Sequence, residues 1–261
     1  VGNPFFSAIT RAVEEVAREN GYLLVAGSSG EDPIHERELV TTLLARRAEG
    51  ILLVPAAGDQ SFLKNEMSLG IPVVFIDRPP GEIEADAVVL ENRAGARRGV
   101  AQLIDQGHER IGLLADDIEI YTAAERVQGY FDALSDAGLP VDASLLQLSC
   151  RDVEAADAAV RSLVAADNPP TALFAINNRM SLGALRALHG RPEKVAMLGF
   201  DDLEFADLLT TPVTIVAHDP HAMGRLAAKV MLARLAGDTS PPKQIVLPTT
   251  LVTRGDAEAM R

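Results

Sequence analysis

Short apolar runs recur along this chain with helical patterns between them. That alternation restricts the fold more than any other feature of the sequence. Runs of about four to six residues lie at Val73, Val88, Ile111, Leu145, Ala172, Val195, Ile215 and Ile245, after earlier ones at Tyr22–Ala26 and Ile51–Val54. Several are unbroken and rich in β-branched residues, as a strand covered on both faces requires. Alternating strands and helices imply parallel sheets with right-handed crossovers. About ten strands are too many for one small sheet, and 261 residues suit two packed lobes. The fold class read from this pattern is α/β, with two doubly wound parallel-sheet lobes.

Local signals place the helices. Asn3 is an N-cap and Pro4 fits the first helical position, with Phe5, Phe6, Ile9, Val13 and Val16 at helical spacing behind them. Asn20-Gly21 ends that helix, and Tyr22–Ala26 reads as a strand. Asp32-Pro33 starts a second helix, and a third, short one precedes Val73.

Charge excludes some functions. The chain carries 37 acidic and 24 basic residues, a net charge of −13. Proteins bind nucleic acid largely by neutralising phosphates with Lys and Arg, so this chain is a poor DNA binder by itself. An anionic membrane surface is equally unsuitable, and no apolar run approaches the ~20 residues that span a bilayer. The start, VGNPFFSAIT, has no initiator Met and no signal-peptide pattern. The single cysteine, Cys150, excludes an internal disulfide and reads as a small core residue.

Motifs for chemistry are missing. No dinucleotide fingerprint, Walker A loop, H-E-x-x-H, C-x-x-C or G-x-S-x-G occurs, so neither cofactor nor metal is expected and an enzyme reading has little support. What the sequence does offer is a set of polar and aromatic residues just past the apolar runs, where ligands meet doubly wound sheets. Asn3, Phe5 and Phe6 open the first helix, and Asp77-Arg78 follows Val73–Ile76. Tyr121, Thr122 and Arg126 follow Ile111–Ala115, Asn177 follows Ala172–Ile176, Asp201 follows Val195–Phe200, and His218 follows Ile215–Ala217. Aromatic faces with mixed donors and acceptors suit a polar, polyhydroxylated small molecule. Each residue also has a structural reading. Phe5 and Phe6 serve equally as core, Arg126 as a surface partner of Glu125 or Asp132, Asn177 as a helix cap, and Asp201 as a cap or turn residue.

The phrases NPFFSAITRAVEEVARENGY, RRAEGILLVPA, IPVVFIDRP, ENRAGARRGVAQLIDQGHERIGLL, ERVQGYFDALSDAGLP, PTALFAINNRMSLGALRAL, LGFDD and LPTTLVTRG occur in an order and spacing that resemble one family. The resemblance is to the effector-binding core of the lactose-repressor family of bacterial transcription regulators, from Asn3 to Arg254. It implies a periplasmic-binding-protein-like fold of type I, with a ligand cleft between the lobes. It implies an N-terminal lobe of residues 1–108 plus 219–247 and a C-terminal lobe of 109–218 plus 248–261. It also implies a cytoplasmic homodimer that binds a small effector, a sugar or sugar derivative, and meets operator DNA only through an N-terminal helix-turn-helix outside this sequence.

Family positions carry over one at a time. Arg126 matches the arginine that reaches the effector, and Thr122 stands where a hydroxyl or amide contact is frequent. Asn177 matches the asparagine of the A-N-D phrase, and Asp201 the aspartate of G-[YF]-D. His218 replaces a common glutamine. Neither the family's DNA-binding head nor its first strand is found in the sequence, which is therefore expected to be part of a longer chain. A solute-binding protein of a transport system, on the same fold, is the alternative reading.

Overall fold

The computed structural model describes residues 3–191, 194–209 and 211–255. In chain order the elements are α1 (Pro4–Glu19), α2 (Pro33–Ala45), β1 (Ile51–Leu53), α3 (Lys64–Ser68), β2 (Val73–Asp77), β3 (Asp86–Leu90), α4 (Asn92–Asp105), β4 (Ile111–Leu114), α5 (Tyr121–Asp136), β5 (Leu146–Gln147), α6 (Val153–Val164), β6 (Ala172–Ala175), α7 (Asn178–Leu188), β7 (Ala196–Phe200), β8 (Val213–Ala217), α8 (Pro220–Leu235), β9 (Gln244–Leu247) and β10 (Thr250–Arg254). No described helix is long and apolar enough to cross a membrane.

The chain divides into two compact units, residues 1–90 with 219–247 and residues 91–218 with 248–261. The first division falls after Leu90, not near 108 as expected. The reason is α4. It presents Gly95, Ala96, Gly99, Val100 and Leu103 as a buried face. Gly95 and Gly99 let its backbone approach Phe200, Leu198 and Val216 of β7 and β8, where added Cβ atoms would collide. Its apolar stripe therefore belongs to the second unit's core.

The first unit holds a parallel sheet in the order β1-β2-β3-β9. Its helix α1 begins as the sequence predicts: Asn3 Oδ1 accepts from the Phe5 amide at 3.0 Å, and Pro4 occupies the first turn. Phe5, Ile9, Ala12, Val13 and Val16 are its buried face. Gly224 of α8 lies against Ile9 and Ala12 and allows the two helices to pack closely.

One expected strand is absent. Tyr22–Ala26 forms no strand, and Leu23 and Val25 are 88% and 61% exposed. A strand exists through its ladder partners. Among the described residues no strand pairs with this segment, and β1 is an outer strand of the sheet. The sequence pattern is strand-like, but no described strand pairs with it.

The second unit holds a sheet in the order β10-β8-β7-β6-β4-β5. It is parallel except for β10, which runs antiparallel to β8 with Leu251 opposite Val216. The run expected near Leu145 is a 3-10 turn at Ala143–Leu145 followed by the two residues of β5. Tyr130 of α5 is fully buried and its hydroxyl donates to the Ile111 carbonyl at 2.8 Å, fixing α5 to the start of β4.

Candidate functional site

Each unit gathers charged groups at the carboxyl ends of its strands. In the second unit the centre is Asp201, directly after β7 and buried. Its φ is +69°, a left-handed conformation that is uncommon outside glycine and more tolerable for Asp or Asn than for other residues. Strain of this kind persists only where surrounding bonds hold it. Asp201 Oδ2 lies 3.3 Å from Arg126 Nη1, and Oδ1 lies 2.9 Å from His218 Nε2. Burial pushes the Asp201 carboxyl up, but the charge of Arg126 with the hydrogen bond and charge of His218 outweigh it and hold the group below the ordinary carboxylate value. A carboxylate only accepts, so His218 Nε2 is the donor in that bond.

Arg126 is placed by α5. Thr122, Arg126, Gly129, Tyr130 and Ala133 lie on that helix's buried face. Its Nε donates to Asn92 Oδ1 at 2.8 Å and its Nη1 to the Ile176 carbonyl at 2.7 Å. The guanidinium carbon stands 3.7 Å over the Phe200 ring, a cation–π contact. These contacts commit Nε and Nη1 and leave the Nη2 hydrogens for a ligand acceptor. The surface pairing of Arg126 with Glu125 or Asp132 does not form; Asp132 instead receives two bonds from Arg93.

Asn177 is the N-cap of α7: its Oδ1 accepts from the Met180 amide at 3.0 Å. Its Nδ2 donates to Asp116 Oδ2 at 2.8 Å. Tyr121 opens α5 and is 37% exposed, while Thr122 beside it is buried. Asp202, next to Asp201, faces the surface and pairs with Arg254.

The first unit has a counterpart. Asp77 ends β2, is buried and also has φ +69°. Arg78 follows it and is buried too, with Nε 3.8 Å from Asp77 Oδ2. Its two terminal nitrogens grip Glu31 at 2.6 and 2.7 Å, and Nη1 also donates to the Pro55 carbonyl. Glu36 of α2 is buried nearby and accepts from the Ala56 amide. Burial raises its carboxyl above the ordinary value, against the pull of the Ala56 N–H, Gln60 and Arg78. Asn3 caps α1, Phe5 is buried on that helix, and Phe6 is half-buried with its ring 5.0 Å from that of Phe5. Phe5 thus takes the core role.

So the structure brings Arg126, Asp201 and His218 into one bonded cluster, and Asn177 directly follows Ile176, whose carbonyl accepts from Arg126. Sequence reasoning missed Asn92, Asp116, Phe200, Glu31 and Glu36. Asn92 and Asp116 stand just past β3 and β4, so the rule that found Asp77 and Asp201 could have found them. Cys150 is buried beside a shallow recess of about 690 Å³, lined also by Leu146, Ala155 and Ala159. None of the cluster residues lines that recess, and burial pushes the thiol up, away from nucleophilic reactivity.

With this geometry in view, comparison with known proteins is informative. Residues 100–255 match the periplasmic binding protein-like domain family. The regulator CelR of Thermobifida fusca, named as an HTH-type transcriptional regulator, is 34% identical over 259 residues, covering 96% of this chain and 75% of its own. The ribose operon repressor of Haemophilus influenzae is 28% identical over 257 residues, covering 97% and 77%. A solved complex of CelR with cellobiose superposes with a TM-score of 0.85 at 32% identity, covering 97% of this chain and 79% of that one. The chain belongs to the periplasmic-binding-protein-like family, in its lactose-repressor branch of transcription regulators. Its function is effector sensing for transcription, and the transport reading falls away.

Proposed function

We propose that the effector is a sugar or sugar derivative, met at the strand ends of the second unit by Arg126, Asp201 and His218, with Tyr121, Thr122 and Asn177 as further polar and aromatic contacts of that unit. In the first unit, taken by itself, Asn3, Phe6 and Asp77 are the candidate contacts. The observation that carries the reading is the buried Arg126–Asp201–His218 cluster around a strained aspartate. A carboxylate that accepts and a guanidinium with an uncommitted nitrogen together match the paired donor and acceptor character of sugar hydroxyls. The names of the relatives support the same class, since one was solved with cellobiose and another is a ribose operon repressor.

In this reading effector occupancy changes operator affinity through linkage, with a coupling of about 1–3 kcal/mol. The regulator acts in the cytoplasm as a homodimer, which two-fold operators require. Operator reading falls to a helix-turn-helix, as the name of CelR states for that protein; a chain of net charge −13 contributes little to it. The protein senses and does not catalyse.

A thermal-shift screen of sugars, sugar phosphates and nucleobases tests the proposal. A bound effector at ~100 times its Kd stabilises by about 2.7 kcal/mol. Stabilisation by nucleobases alone, or by no carbohydrate, refutes it.

A further inference from the structure

We infer that Asn92 is a positioning residue for the effector: it acts through Arg126, holding the guanidinium so that Nη2 is the nitrogen presented to the ligand. The inference rests on the carbohydrate reading above and deepens it. All the residues involved belong to the second unit.

An arginine side chain is long and flexible, and a ligand gains most from one whose planar fork is already oriented. Orienting a planar group means fixing its tilt and its rotation within the plane. The Phe200 ring, 3.7 Å from the guanidinium carbon, fixes the tilt of Arg126. Nη1 donates to the Ile176 carbonyl at 2.7 Å and lies 3.3 Å from Asp201 Oδ2, which fixes one corner. A plane held at one corner still pivots about it. The second corner is Nε, which donates to Asn92 Oδ1 at 2.8 Å. Among the described residues Nε has that one partner.

A group that orients another has to be fixed itself. Asn92 is buried and opens α4. Its predecessor Glu91 accepts from Arg98 Nη2 at 2.5 Å and from the Thr249 amide at 2.7 Å. Arg98 Nη2 also donates to the Thr249 carbonyl at 3.0 Å. Gly95, one turn further along α4, makes room for this arrangement: a Cβ added there would stand 2.6 Å from the Thr249 hydroxyl. These bonds clamp the start of α4 to the residue before β10, so Asn92 is a fixed post.

With Nε and Nη1 committed, the Nη2 hydrogens are what Arg126 offers, in a plane and direction already set. A hydroxyl oxygen in that plane accepts a charge-assisted bond, whose strength depends on alignment. Loss of the Asn92 acceptor has two effects. It frees the fork to pivot about Nη1, and it leaves a buried Nε–H to find another acceptor. Both move Nη2 off its line to the ligand.

The test is titration calorimetry on the whole chain, with ribose, glucose and cellobiose as probes. Asn92→Leu keeps the volume and removes the acceptor, while Asn92→Asp keeps an acceptor oxygen in place. For a probe that binds the wild type, Asn92→Leu is expected to weaken binding by about tenfold or more, and Asn92→Asp to stay within about threefold of wild type. A second readout needs no ligand. The Nε–H resonance of Arg126, identified by its absence in Arg126→Lys, is expected to shift in Asn92→Leu and to stay protected from exchange in Asn92→Asp. Wild-type affinity in Asn92→Leu, equal weakening by Leu and Asp, or an unmoved Nε–H signal in Asn92→Leu each overturns the inference and leaves the carbohydrate reading intact. A wild-type chain that binds none of the three probes overturns both. If Asn92→Leu shows no cooperative melt, Asn92→Ala takes its place with the same expected result.

Discussion

Replacing Asp201 by Asn tests whether the second unit is built around a buried ion pair. Asn keeps the shape, and it tolerates the left-handed conformation about as well as Asp, so backbone strain is not increased. What changes is the charge. The side chain of Arg126 is 6% exposed and that of Asp201 9%, so the variant leaves a guanidinium buried without its carboxylate. Removing one partner of a buried pair costs about 3–5 kcal/mol. Arg126 keeps its bonds to Asn92 and Ile176 and its place over Phe200, which puts the expected loss near the lower end, about 3 kcal/mol. At about 2–4 °C per kcal/mol for a chain of this size, the melting temperature falls by roughly 6–12 °C. A lost cap or turn residue alone would cost only about 1 kcal/mol, a figure that the two partners of Asp201 make too small.

Two controls separate this from ordinary damage. The carboxyl is held below its usual value, so its contribution is present above the unfolded value of ~3.9 and disappears as pH falls through the native one. The gap between wild type and variant in denaturant melts therefore stays constant from pH 7 to about 5 and closes below pH ~4. A double-mutant cycle with Arg126→Leu gives the coupling directly, because the double variant no longer buries a lone charge. Single losses that simply add, or a melting point within 2 °C of wild type by the same conversion, refute the reasoning.

Three further substitutions have defined outcomes. Asn177→Ala removes the α7 cap and the bond to Asp116, and costs about 1–2 kcal/mol in urea melts; no loss contradicts the capping geometry. Tyr130→Phe leaves the Ile111 carbonyl without its hydroxyl donor and lowers stability by about 1–1.5 kcal/mol, with effector affinity unchanged by calorimetry. Glu36 has a raised native value, so its charged form is disfavoured on folding: stability is greatest below the unfolded value and declines as pH rises through the native one. Glu36→Gln keeps an acceptor for the Ala56 amide and flattens that decline, which stability measured from pH 4 to 7 reads directly.

The course of the sheets was legible because buried strands leave unbroken apolar runs, as at Val73–Ile76 and Ala172–Ala175. Where a strand depends on a neighbour, the pattern is ambiguous. Tyr22–Ala26 has the same local signature, yet it forms no ladder, since an apolar run records an intrinsic preference and not the presence of a partner. The division between units was misplaced for a related reason. The stripe of α4 announces that one face is buried, but which sheet covers it is settled by Gly95 and Gly99 meeting β7 and β8, a fit between residues about a hundred positions apart.

The site shows the same boundary between local and distant information. Asp77, Asn177 and Asp201 could be picked out because each directly follows an apolar run. The burial of Arg126 was also within reach: Thr122, Arg126, Gly129, Tyr130 and Ala133 repeat at helical spacing, so a surface pairing with Asp132 set the arginine on the wrong face. Its true partner stands 75 residues away. Nothing local to either residue reveals that distance, and nothing in a strand-end aspartate reveals that its φ will be positive. Glycine would adopt that conformation without strain at both Asp77 and Asp201. For Asp201 the bonds to Arg126 and His218 offset the strain that glycine would avoid. The left-handed turn and the ion pair are therefore one feature, and it appears only when β7, β8 and α5 have come together.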